Sequence, residues 1–303
     1  MPTIQKGVFM DYQQFVIVVK EKLAQSLGSG IDLQIHTTLK NNGNERTGIS
    51  IIDPKVNISP TIYLEEYYRQ FKSGMPIDAI SACLLDVYHE VRLEHSWQIE
   101  QLKTLSETQC KISCKLIHAR KNESLLQTLP HIPYLDLAIV FYILFEVEET
   151  GTATIPITHD FLRLWNITLD ELYDIALKNA PSLLPAQFKP MRVVIAELLD
   201  STCDTNIKES DIMFVLTNPL RSYGAACLLY PGILEQIACQ LGENFYILPS
   251  SIHEVIIIAE SQSPNKEDLH EMVQDINETQ VDVEEFLSDT IYYYNFKEKA
   301  VSL

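Results

Sequence analysis

The sequence predicts an α+β fold: a mainly antiparallel sheet with helices packed on it, and room for two subdomains. Three observations carry this. The strand-like runs of the final third follow one another closely, FYIL and then VIIIA across a short polar knot, and neighbours in sequence pair most readily antiparallel. Between such runs lie stretches with apolar residues at helical period and recognisable caps. A chain of 303 residues, 46% of them hydrophobic, can bury a substantial core as one large domain or two smaller ones.

Residues 11–27 place Phe15, Val18, Val19, Leu23 and Leu27 at helical period, and Gly28-Ser29-Gly30 ends the run. Ile31, Leu33 and Ile35 alternate with polar neighbours. The turn formers Asn41-Asn42-Gly43-Asn44 and the run Ile49-Ser50-Ile51 complete a hairpin. Ser59-Pro60 reads as a helix start, with serine as cap, proline in the first turn and Glu65-Glu66 soon after; Gly74 stops that helix. Pro76 opens another, with Ile80, Leu84, Val87 and Val91 on one face. Residues 110–120 fit either helix or strand. Pro130 and Pro133 mark a break, which divides the chain into 1–130, a helical region with a hairpin, and 131–303, an α+β domain.

LAIVFYILFEV and residues 152–157 read as paired strands around Glu149-Thr150-Gly151, the first of them buried. Residues 158–165 form a short helix. Thr168-Leu169-Asp170-Glu171 is a capping box, and Leu172, Ile175, Ala176 and Asn179 continue its helix. Residues 211–217 and 223–230 are strand-like. Pro231-Gly232 leads into a helix over 233–241 that Gly242 stops. After FYIL and VIIIA, residues 265–276 form a helix with Leu269, Met272, Val273 and Ile276 inward, and DTIYYYN is the last strand.

Charge separates the two halves. Residues 1–130 hold 14 acids and 14 bases, whereas 131–303 hold 27 acids and 9 bases, so the whole net charge of −18 lies in the second half. Such a surface repels phosphate backbones and argues against direct nucleic-acid binding through that half. It suits solubility, a basic protein partner, or imitation of DNA. Cys83, Cys227 and Cys239 sit in apolar runs, as reduced buried cysteines do. No apolar run reaches the length of a membrane span, and Lys6, Asp11 and Lys20 fit no signal layout. The cytoplasm is the expected compartment, with no membrane contact.

The C-terminal stretches YPGILEQIACQLGENFYILPSSIHEVIII, EMVQDINETQV and VEEFLSDTIYYYN, in that order, resemble an uncharacterised domain-of-unknown-function family of proteins from gut Clostridia. ITLDELYDIALKNAPSLLP is similar to a stretch of a second uncharacterised bacterial family. The resemblance implies a cytoplasmic bacterial protein, in a mobile-element setting, with no assigned activity and no catalytic residues to carry over.

Four groups of residues invite a chemical reading. Ser250, Ser251, His253 and Glu254 place a nucleophile, a base and a carboxylate side by side. In an extended chain Ser251 and His253 share a side but lie about 6–7 Å apart, too far for a default nucleophile–base hydrogen bond. No Gly-x-Ser-x-Gly elbow is present, and Pro and Ser form turns, so a corner between strands is expected, with a small polar binding site as the other reading. His89 and His95 are six apart, not the four of a zinc helix. Cys110, Cys114 and His118 are four apart each; on a helix the outer pair is about 12 Å apart, and a strand spreads them further, so core cysteines are expected in place of a metal site. Tyr292 and Tyr294 in the tyrosine run fit a sheet edge or interface. Phosphate loops are absent, and no cofactor is expected.

These readings converge on a cytoplasmic, non-enzymatic binding protein that acts through protein contacts of its acidic half, with Ser250, Ser251, His253, Glu254, Tyr292 and Tyr294 as candidate binding residues. A DNA-mimic inhibitor of a nucleic-acid enzyme, and a hydrolase pairing Ser251 or Cys227 with His253, are the alternatives.

Overall fold

The structure, a computed structural model, describes residues 10–28, 30–53, 61–94, 102–148 and 151–303. Lys6, Ser29, Ser59, Pro60, His95, Glu149 and Thr150, used in the sequence reading, lie outside them. The chain forms two compact units, residues 1–40 with 45–101, and residues 41–44 with 102–303. Residues 102–130, read with the N-terminal half from sequence, cluster with the second unit.

In the first unit, α1 (Tyr12–Leu27) starts at a capping box in which Asp11 accepts from the Gln14 backbone and Gln14 accepts from that of Asp11. It buries Phe15, Val16, Val19 and Leu23. Strands β1 (Asp32–Leu39) and β2 (Glu45–Ile52) form the expected hairpin, and β3 (Thr61–Tyr63) adds a third antiparallel strand. Here the expected helix start is corrected. Leu64 donates its N–H to Thr47 O at 3.0 Å, and the Glu65 carboxylate accepts from Thr47 N at 2.7 Å. These bonds hold 61–63 as a strand, and α2 (Glu65–Lys72) begins only afterwards. In α3 (Ile77–Glu94) the buried stripe among the described side chains is Ile80, Leu84 and Tyr88, one residue beyond the expected Val87; the side chain of Val91 lies outside them.

The second unit holds two sheets. Strand β4 (Ile112–His118) settles the ambiguous 110–120 segment. It pairs with one edge of β6 (Leu137–Glu148), while β5 (His131–Tyr134) and β7 (Gly151–Pro156) share the other edge. The six-stranded sheet has the order β13-β12-β10-β11-β9-β8, antiparallel throughout: β8 (Gln187–Pro190), β9 (Met213–Thr217), β10 (Phe245–Leu248), β11 (Val255–Ala259), β12 (Tyr292–Asn295) and β13 (Ala300–Ser302). The α+β class thus holds.

Period-two alternation decides which residues meet in the main core. Ile112, Cys114 and Leu116 of β4 and Leu137, Ile139, Phe141 and Ile143 of β6 share it with Phe214, Phe245, Ile257, Tyr292 and Tyr294 of the larger sheet. Two short helices, α4 (Leu105–Thr108) and α5 (Glu123–Leu126), flank β4, and α6 (His159–Trp165) precedes α7 (Leu169–Leu183). The expected capping box opens α7: Thr168 Oγ1 accepts from Glu171 N at 3.2 Å, and Glu171 accepts from Thr168 N at 2.8 Å. That helix buries Leu172, Ala176 and Ala180 in the core. Helix α8 (Met191–Leu198) follows β8, and α9 (Ile233–Leu241) ends at Gly242, whose φ of 79° is cheap only for glycine. On the opposite face of the larger sheet, α10 (Lys266–Thr279), capped by Asn265, lays Leu269 and Val273 against Leu248 and Ile258.

Two expectations in the second unit are corrected: DTIYYYN is not the last strand, since β13 follows and pairs with it, and 223–230 is not a strand. Tyr223 takes a left-handed backbone, and Gly224–Leu229 winds as a tight 3-10 helix. A Cβ on Gly224 would lie 2.3 Å from both His253 O and Thr217 Oγ1, so the turn depends on glycine to pass that close to its neighbours.

Candidate functional site

Residues 249–254 connect β10 to β11, which are register neighbours through Leu248 and Ile256. The connection is strapped down by 285–288. Pro249 O accepts from Ser288 N at 2.9 Å, Ser250 O accepts from Leu287 N at 3.0 Å, and Ile252 N donates to Glu285 O at 2.8 Å. Ser250 and Ser251 are buried, and Ser251 Oγ accepts from the backbone N–H of His253 at 3.0 Å, a local serine turn. The His253 ring looks elsewhere. Its Nδ1 accepts from Tyr223 N at 3.3 Å, its face stacks on the Tyr223 ring at 5.9 Å, and its Nε2 lies 3.5 Å from Glu285 Oε1. Neither serine hydroxyl bonds to the ring among these contacts. Glu254 is half-buried, and burial pushes its carboxyl above the usual range against the pull of His253 and Arg221.

Tyr223 is the residue that sequence reasoning missed. Its φ of 54°, like the 47° of Arg221, is costly for a side chain of this size and is held by its surroundings. Lys115 Nζ sits 4.2 Å from its ring centroid, so Tyr223 touches both a cation and the His253 ring, whose Nε2 in turn lies beside Glu285. The glycine that follows it, Gly224, was the local signal in the sequence. These contacts include no activated nucleophile. Cys227 is fully buried, donates to Thr217 O at 3.3 Å, and burial pushes its thiol up to about 12; burial does the same to Cys114.

The other sequence candidates separate in space or by burial. Cys110 is exposed in the turn before β4, Cys114 faces the core, and His118 at the strand end stacks on Phe286 at 5.7 Å. His89 is exposed on α3. Among the described residues no three or more His, Cys, Asp or Glu side chains are grouped to hold a metal ion. Tyr292 and Tyr294 are buried in the core. The Tyr292 hydroxyl donates to Asp136, and Tyr294 stacks on Phe245 at 4.9 Å. Strand β12 lies inside the sheet, with β13 at the edge, so these two tyrosines present nothing to a partner.

What the second unit does expose is charge. Residues 260–289 contain ten acids (Glu260, Glu267, Asp268, Glu271, Asp275, Glu278, Asp282, Glu284, Glu285 and Asp289) and one base, Lys266; that net −9 is half of the chain's −18. On α10 the five acids are all exposed. The turn that follows is tied down: Asn41 and Asn42 donate their side-chain amides to the carbonyls of Glu284, Val283 and Phe286 at 2.6–2.7 Å, and Asn44 donates to the Glu284 carboxylate at 2.6 Å. Glu284 and Glu285 therefore have internal partners, whereas Glu267, Glu271, Asp275 and Glu278 enter no ion pair among the described residues.

No helix among the described residues is long and apolar enough to cross a membrane. No curated protein and no solved structure matches the chain. A family model does match, over residues 12–295: the chain belongs to the family of unknown function DUF5688.

Proposed function

We propose that this DUF5688 member is a cytoplasmic binding protein whose acidic C-terminal half meets a basic protein partner. The observation that carries the reading is the concentration of half the net charge in 260–289, five of whose ten acids stand exposed on α10. Glu267, Glu271 and Asp275 follow one another at i,i+4, an arrangement that costs helix stability by about 0.2–0.5 kcal/mol per pair. A helix selected only to cover its sheet would intersperse lysines there. Steering of a basic surface gives the repulsion a use. The six cysteines, all free, suit a reducing compartment.

Charge density favours a general basic partner over imitation of DNA. Helix α10 spans about 21 Å, so its five acids stand about one per 4 Å, against about one charge per 1.7 Å of duplex. Neither a direct nucleic-acid contact nor a cofactor forms part of this reading. The test is affinity capture from the native host followed by cross-linking and mass spectrometry. Cross-links from 260–289 to a lysine- or arginine-rich surface are expected. A partner cross-linked only within 1–130 would overturn the reading.

A further inference from the structure

Eleven large apolar side chains are exposed among the described residues, and six of them fall between 195 and 220: Ile195, Leu198, Leu199, Ile207, Ile212 and Leu220. Ile195, Leu198 and Leu199 follow at i, i+3 and i+4, one side of α8 and its C-terminal cap, and are 49%, 66% and 71% exposed. The other side of the helix is spent: Val193 and Ala196 are buried.

The helix lies on the same face of the larger sheet as the acidic α10. Phe188 of β8 stacks on Phe214 in the main core, so by alternation Lys189 points to the opposite face, where it meets Glu197 of α8 at 2.7 Å. Leu269 and Val273 of α10 pack against Leu248 and Ile258, the residues alternate to core-facing Ile247 and Ile257. The loop after α8 is fixed rather than loose. The Arg192 guanidinium holds the Asp211 carboxylate through Nε at 2.7 Å and Nη2 at 3.0 Å, and it also donates to Asp204 O and Asn206 O. Arg221 reaches Glu197 at 3.3 Å, bringing the Leu220 segment to the helix. Gln262 Nε2 donates to Glu209 O at 3.4 Å, which joins this loop to the start of the acidic segment. An apolar patch and the five exposed acids of α10 thus adjoin on one sheet face.

We propose that Ile195, Leu198 and Leu199 anchor the apolar stripe of a basic amphipathic helix from a partner protein, whose lysines and arginines face the exposed acids of α10. This rests on the acidic half meeting a basic partner, and adds where the anchor sits and what the partner looks like. Charge selects the occupant: neighbouring acids at this density disfavour an acidic or neutral helix, and a basic stripe-bearing helix satisfies both surfaces at once. Patches of this kind, apolar with a charged border, mark interaction sites.

The experiment uses the full chain and a fluorescent 18-residue leucine/lysine peptide designed as an amphipathic helix. Two control peptides accompany it: the same composition scrambled to abolish the stripe, and the lysines replaced by glutamates. Binding is measured by anisotropy at two salt concentrations for the native chain, for Leu198→Ser/Leu199→Ser, and for Glu267→Gln/Glu271→Gln/Asp275→Asn. Circular dichroism confirms that each variant is folded. The striped basic peptide is expected to bind at least ten-fold more tightly than either control, and to lose at least ten-fold on the serine pair. Binding indifferent to the serine pair, or equal for the scrambled peptide, overturns the anchor. If the charge variant weakens binding and the serine pair does not, the anchor fails while the acidic reading stands. If only the serine pair weakens it, and salt has no effect, the acidic reading fails while the anchor stands. A dimer dispersed by the serine pair, or uncharged phosphatidylcholine vesicles bound through these leucines, with no peptide binding in either case, would give the patch a different occupant and overturn the proposal.

Discussion

The two faces of the six-stranded sheet are built from alternate residues of the same strands, and they have different fates. The inner face carries Phe214, Phe245, Ile257, Tyr292 and Tyr294 into a core shared with the smaller sheet and its helices, and every one of these side chains is buried. The outer face is covered by α10 and α8, each one helix deep, and beyond them stand exposed acids and exposed leucines. The inner face answers to packing, where each methylene has many neighbours. The outer face keeps like charges and apolar side chains in water, neither of which serves stability. The difference separates what holds this fold from what it offers to other molecules.

The sharpest way to test that separation is by substitution across the sheet. Phe245→Ala on the inner face removes a ring stacked on Tyr294 and is expected to cost about 3–5 kcal/mol, read as a lowered urea midpoint. Leu269→Ala beneath α10 should cost less, about 2–3 kcal/mol, because a single surface helix can settle partly into the space. If the two costs were equal, the faces would be equally load-sharing and the contrast would dissolve. Leu198→Ser on the exposed patch should leave stability within about 0.5 kcal/mol of native; a larger loss would make that leucine part of the packing.

The smallest expected effect lies at the corner. Burial holds the Glu254 carboxyl above its usual range, so the folded chain binds that proton more tightly than the unfolded chain. The resulting stabilisation is fully present below the unfolded value of about 4.3 and is lost as pH rises through the folded value. Glu254→Gln should therefore match the native chain at low pH and be slightly more stable at neutral pH. Urea midpoints measured across that range check it, and a variant less stable at neutral pH would mean that the ionised carboxylate is held by His253 and Arg221 after all.

Much of the element order was legible in the sequence, because local rules and global packing agree at caps, stops and turns. The Thr168 capping box, the helix from 265, the Gly242 stop, the 41–44 turn and the FYIL/VIIIA pair all appear where residue chemistry put them. Residues 223–230 escaped because a left-handed tyrosine and two alanines wind tightly only against the backbones of Thr217 and His253, which are distant in sequence. The tyrosines of β12 were read as a possible surface, since nothing local reveals that Asp136 waits beneath Tyr292. Helix α8 left no expectation at all: Met191–Leu198 is apolar on nearly every side, so its exposed leucines look like core until the sheet shows which side is taken. The charge asymmetry was plain from composition. The exposure of five of its acids along one helix, and the tethering of Glu284 and Glu285 by Asn44 and His253, required coordinates.

The central claim is that the acidity of the outer face is for recognition. With the partner in hand, association and dissociation rates should be measured from 0.1 to 1 M salt, over which the screening length falls from about 10 Å to about 3 Å, for the native chain and for Glu267→Gln/Glu271→Gln/Asp275→Asn. The account predicts that association of the native chain slows steeply with salt while dissociation changes little, and that the variant associates slowly at low salt with a flattened dependence. An association rate indifferent to salt, or equal in the native chain and the variant, would contradict it and leave the charge as plain solvation.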